Sequence, residues 1–145
     1  MAYADSLRTV ATATMEIVAS LIEGIFSAAF GLTFSSWTST ITPSAGTYAA
    51  TAPGKYIQVG KWFIGKIVFT GTVTGAPQYL SMTVPVTMVA DQVAGSVQLT
   101  DNSVSPVMGQ LTSSGTGAIA VWRYDRVSFT AGTVSGVAYF WGEVA

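Results

Sequence analysis

The sequence contains no cysteine and no histidine. The first absence excludes disulfides, thiolate nucleophiles and thiolate metal sites, and it leaves the redox compartment unread. The second removes the commonest general base and the commonest transition-metal ligand. Charge is scarce as well: six basic and seven acidic side chains make up 9% of the chain, against roughly a quarter in an average soluble protein. These charges are scattered, so no basic cluster exists to displace counterions, and no nucleic-acid partner is expected. A clean spanning segment is also missing. The apolar run from Met15 to Phe34 carries Glu16 and Glu23, and a carboxylate near the middle of a spanning helix is costly. No membrane span is therefore expected. Met1 to Thr12 holds Asp5 and Arg8 rather than a basic leader segment, so no cleaved signal is expected and Met1 reads as a native start.

What is present is apolar. Half of the 145 residues are hydrophobic, enough for one domain with a core. A chain so poor in charge either enters a membrane or covers its surface with copies of itself. The pattern changes near Gly31. Before it, Thr9, Thr12, Glu16, Ser20, Glu23 and Ser27 recur at steps of three and four and form one polar stripe, the signature of a helix. Apolar residues fill the rest of the circumference. Asp5 or Ser6 suits the N-cap and Gly31 the C-terminal stop, while Gly24 weakens the helix interior. The stripe predicts an amphipathic helix over residues 1–31, with Leu7, Val10, Ile17, Leu21 and Ile25 as assembly or docking positions. A partial heptad (Leu7, Val10, Thr14, Ile17, Leu21, Gly24, Ala28) suits a short helical collar between copies. The same face suits packing against the chain's own second domain, and the sequence leaves both open.

From about Ser35 the period becomes two, and residues 32–145 are expected to form a β-sandwich. Gly60-Lys61 has the spacing of a two-residue hairpin between Tyr56–Val59 and Trp62–Val73. Phe63, Ile67, Phe69 and Val73 share one face of the second strand. Leu80, Met82, Val84 and Val86 alternate with polar residues, and Pro85 predicts an edge or a bulge there. Val97 with Leu99, and Ile119 with Val121, continue the alternation. Val137–Trp141 reads as a strand buried on both faces, with Trp62 and Trp141 as core. Turn residues separate the runs at 43–46, 53–54, 75–77, 101–103, 113–115 and 131–132. About eight strands so spaced predict an all-β, antiparallel, jelly-roll-like sandwich behind one N-terminal helix.

Chemistry is thin. Asp91, Asp101, Asp125 and Glu143 are the acids a glycosidase pair would draw on, but Asp91 and Asp101 stand in turn-like contexts and Asp125 is placed to pair with Arg123 or Arg126. Asp101-Asn102-Ser103 offers oxygens to Ca²⁺, yet far fewer than the six to eight that ion takes, and a plain turn is the simpler reading. A serine nucleophile has no histidine, and no Ser-x-x-Lys, P-loop or dinucleotide motif occurs. No enzyme activity, metal or cofactor is expected. The run Trp122-Arg123-Tyr124-Asp125-Arg126 joins flat aromatic faces to hydrogen-bonding tips, so Trp122, Arg123, Tyr124 and Asp125 are the candidate ligand-binding residues. Aromatics of this kind equally fill a core or a subunit interface.

Several short words recur in a familiar order: Trp37 to Pro43, then Gly54-Lys55-Tyr56-Ile57-Gln58-Val59-Gly60-Lys61, the long run Trp62 to Val73, Leu80-Ser81-Met82-Thr83-Val84-Pro85-Val86, and an aromatic last strand. Over about 110 residues this order resembles the C-terminal head domains of tailed-bacteriophage fibre and receptor-binding proteins. Ser81 to Val84 departs from the usual Leu-Pro spacing, and the helix has no counterpart there. The resemblance implies a jelly-roll-like domain that assembles as a homotrimer on a virion, with other virion proteins and a host-surface saccharide as further partners. Small trimers of the same kind serve as capsid decoration or cement proteins, for which the helix would be the docking element. A lectin-like carbohydrate-binding domain outside a virion, and a membrane-active protein using its helix, are the alternatives from other classes.

Overall fold

The alternating segments fold as strands. The computed structural model describes residues 10, 13, 14, 16–25, 33–102 and 104–145, with the backbone alone at 91 and 104–108. The chain divides into two units, Met1–Phe34 and Ser35–Ala145.

In the first unit residues 10, 13, 14 and 16–25 are helical. The Thr14 hydroxyl donates to the Val10 carbonyl at 2.8 Å, the back-bond by which a hydroxyl is satisfied inside a helix. Val10, Ile17, Val18, Leu21, Ile22 and Ile25 are exposed. No helix among the described residues is long and apolar enough to cross a membrane. The expected caps (Asp5, Ser6 and Gly31) and the expected assembly residue Leu7 lie outside the described residues.

The second unit is an antiparallel sheet of ten strands: β1 (Ser35–Thr38), β2 (Ile41–Pro43), β3 (Thr47–Thr51), β4 (Pro53–Val59), β5 (Trp62–Thr74), β6 (Tyr79–Thr83), β7 (Met88–Asp101), β8 (Val104–Ser113), β9 (Ala118–Arg123) and β10 (Gly132–Val144). Their order is β1-β4-β5-β10-β7-β8-β9-β6-β2, with β3 paired beside β4 on the far half of β5. The two ends of this order are consecutive in sequence. Only Ser39 and Thr40 separate β1 from β2, so the sheet must curl until its first and last strands meet.

Thr83 holds that seam. Its carbonyl accepts from the Ser39 hydroxyl at 2.8 Å and from Trp37 Nε1 at 3.3 Å. Its hydroxyl accepts from Thr40 N at 2.9 Å, and its own N–H donates to the Thr40 carbonyl at 3.0 Å. The Trp37 ring lies flat over Gly54, where a Cβ would come within 2.6 Å of the ring. It meets Tyr56 and Phe140 edge-on at 5.5 and 6.5 Å. Glycine at 54 is what lets the indole close the curl.

The core is the inner face. Phe63, Ile67, Phe69 and Val73 of β5 lie beside Val134, Ala138 and Phe140 of β10 and Val97 and Leu99 of β7, across from Leu80 and Met82 of β6 and Ile119 and Val121 of β9. Phe140 takes the space of three positions. It pairs with Gly65 on one side and Gly95 on the other, and a Cβ on Gly65 would reach within 2.7 Å of its ring. Alternation of large and small inward side chains is how a curled sheet fills its interior. Tyr48 of β3 reaches in to donate its hydroxyl to the Val134 carbonyl at 2.8 Å, and burial pushes its phenol well above the ordinary value.

The all-β expectation with one helix holds, and so do the Gly60-Lys61 hairpin, with Gly60 at φ +59°, and the inward set of β5. Four expectations are corrected. Pro53-Gly54 opens β4 instead of forming a turn. Asp91 lies inside β7, not in a turn. β6 stops at Thr83, short of Pro85, and sits between β9 and β2 instead of at an edge. The last strand is buried on one face only: Ala138 and Phe140 point in, while Tyr139 and Trp141 are exposed, as is Trp62. Successive residues point to opposite faces, and only the inner face of this strand is covered by the core.

Candidate functional site

The aromatic-charged run ends β9 and enters the loop 124–131. Arg123 points inward, because it pairs with Gly109 in register with the inward residues of β8. There it meets Asp101, which is 1% exposed, and donates to Asp101 Oδ2 through Nη1. It also grips Asp125 with a fork, Nε to Oδ1 at 3.1 Å and Nη2 to Oδ2 at 2.8 Å. Both Asp101 oxygens accept from Thr130 N, at 3.1 and 3.2 Å. Phe129, 1% exposed, is held by its N–H on the Pro77 carbonyl at 2.8 Å. The loop thus stoppers one end of the core with a phenylalanine, and an ion-paired network anchors it.

Asp125 accepts from Val127 N at 3.1 Å as well. Its carboxyl is held below the ordinary carboxylate value first by the hydrogen bond from Arg123, which outweighs the opposing effect of burial, and the bond from Val127 adds to the lowering. The same bond to Asp125 raises Arg123 further above its already high value.

Trp122 points to the outer face. Its ring lies 4.6 Å from Tyr79 on β6, and the Arg126 guanidinium sits 4.4 Å from its centroid. The indole N–H donates to Thr112 Oγ1 at 3.0 Å. Arg126 has φ +58°, rare for a side chain of its size, and it is steadied by Nε donating to Gln110 Oε1 at 2.8 Å. Of the four candidate ligand-binding residues, Arg123 and Asp125 are joined to each other, Trp122 is engaged by Tyr79 and Arg126, and Tyr124 alone is strongly exposed.

Among the acids whose side chains are described, none gathers into a catalytic pair, and the side chain of Asp91 lies outside the described residues. Asp101 and Asp125 share one arginine, and Glu143 lies at 3.8 Å from Lys61 on the outer face. Among the described residues no group of three acidic side chains gathers where a metal would sit. Val10, Ile17, Leu21 and Ile25, the described assembly candidates, are exposed on the helix.

A surface that sequence reasoning missed lies on the outer face of β4, β5 and β10. Val59, Trp62, Ile64, Val68, Tyr139 and Trp141 are all exposed there. Register places them together: Val59 opposite Trp62, Ile64 opposite Trp141, and Lys66 opposite Tyr139. The signal was in the sequence, as two strands apolar at both parities, but double burial accounts for that pattern equally well.

Searches against protein-family models, curated proteins and solved structures give no match to this chain. Arg123, Asp101, Asp125 and Thr83 hold elements of the fold together, while large apolar residues lie exposed on the outer face.

Proposed function

We propose that the chain is a non-enzymatic structural protein that acts as a self-associated surface trimer of a phage virion, the head of a fibre. The observation that carries this reading is the exposed apolar face on the sheet's own central strands. An apolar surface in that position, on a chain with 9% charged residues, favours burial between subunits. In this reading the curled sheet works as a jelly-roll-like sandwich. One layer is β4, β5, β10 and β7, the other β8, β9, β6 and β2, and the side chains between them supply rigidity. Host saccharide, where the head binds it, would meet Tyr124, since the faces of Trp122 are engaged. The exposed apolar residues of the helix favour capsid decoration as the second reading, with Val10, Ile17, Leu21 and Ile25 docking on a capsid protein.

The test is mass in solution by light scattering at micromolar concentration. Three times the chain mass of 15.1 kDa is the expected result. A single-chain mass overturns the proposal.

A further inference from the structure

We infer that the outer face of β4, β5 and β10, centred on Ile64 and Trp141, is the surface through which copies of this chain bind one another; this rests on the self-association proposed above and names where it occurs. Trp62 is 58% exposed, Ile64 52%, Trp141 48% and Tyr139 44%, with Val59 and Val68 beside them. Together these six side chains leave about 600 Å² open, since a large aromatic alone presents 150–250 Å². That matches or exceeds the largest apolar patch on an ordinary monomer. It also approaches the roughly 800 Å² that each partner gives to a stable interface.

The patch has the composition of an interface centre, two tryptophans and a tyrosine with aliphatic residues between them. Ile57, Ala94 and Val137 adjoin it on the same outer face, and Thr70, Ser96 and Gln98 continue that face as polar residues. It is also self-complementary in charge. Glu143 stands opposite Trp62, and Lys66 stands between Ile64 and Val68, opposite Tyr139 and 5.5 Å from its ring centroid. The two charges stand four residues apart along β5, about 13 Å at the usual strand rise. Around a three-fold axis each copy can therefore set its Glu143 against the next copy's Lys66. Lys61, 3.8 Å from Glu143 and 81% exposed, is a weak surface partner that leaves the carboxylate able to accept more. The backbone of β5 and β10 is already paired on both sides, so association must run through side chains.

The experiment compares the full chain with the double variant Ile64→Lys/Trp141→Lys and with the exchange pair Lys66→Glu and Glu143→Lys. The double variant is expected to keep its β-type circular dichroism and to raise the dissociation constant at least about a hundredfold, as loss of interface hot spots does. Lys66→Glu and Glu143→Lys should each weaken association, and the two together should restore it. A double variant with wild-type mass overturns the assignment of this face and leaves self-association standing. A wild-type chain that is single at micromolar concentration overturns both, and its flotation with phosphatidylcholine vesicles would assign the face to lipid instead. Should the double variant fail to fold, wild-type fluorescence decides. Trp62 and Trp141 are two of the four tryptophans, so dilution that lowers the mass should shift emission to the red and raise acrylamide quenching. Emission that stays fixed while the mass falls overturns the inference.

Discussion

Arg123 shows how one side chain can serve two carboxylates with different purposes. Asp101 is fully enclosed and sits where the core meets the loop 124–131, so it requires a cation and backbone donors to be buried at all. Replacing Asp101 by Ala leaves a guanidinium facing the core with one partner gone. Breaking a buried pair from one side typically costs 3–5 kcal/mol; because Asp125 still engages Arg123, we expect about 3 kcal/mol, read as a lower urea midpoint. Asp125 gives a pH signature. Its folded-state pKa is depressed below the ordinary value of 3.8, so its contribution to stability is complete above that value. It is lost as pH falls through the lower folded value. Urea midpoints measured from neutral pH downward should fall below the ordinary value in the native chain, and the fall should be smaller in Asp125→Asn.

At the scale of strands, the packing partners of Phe140 set the next expectation. Gly95→Ala would drive a Cβ into the Tyr139 carbonyl and the Phe140 backbone. No rotamer change relieves a backbone clash, so a loss of about 2 kcal/mol is expected in thermal unfolding. Trp37→Ala removes the ring that covers Gly54 and the seam, with an expected loss of about 3 kcal/mol. The strands themselves were largely legible. Inward positions such as Phe63, Ile67, Phe69, Val97 and Leu99 announce themselves by period two, and Gly60-Lys61 by its spacing. β1, β2 and β3 escaped notice because they are three to five residues long, too short for a period to register. The outer aromatics were misread because a strand apolar on both faces looks the same in sequence whether its second face meets its own core or another molecule. Asp101 looked like a turn residue because it does precede a turn, with Asn102 at φ +48°. Its burial depends on Arg123, which is distant in sequence and became its neighbour only through the β8–β9 hairpin.

At the scale of the molecule, the β unit spends its polar chemistry inward and at its ends. The Thr83 seam and the Arg123 network hold the curl shut, and large apolar side chains lie exposed on the outer face of β4, β5 and β10. The glycan-binding candidate run is mostly architecture, with Tyr124 as its exposed member. If self-association through the sheet face holds, then diluting the full chain should lower its thermal midpoint, because burial between copies stabilises by mass action. Thermal scans across a hundredfold dilution would measure this, and a midpoint independent of concentration would count against it.

Because β1 and β2 are neighbours in the chain, the two ends of the strand order, four and three residues long, lie side by side. Strand addition needs a longer template than that. At the seam, main-chain pairing with a neighbouring molecule is thereby disfavoured, however greasy the exterior.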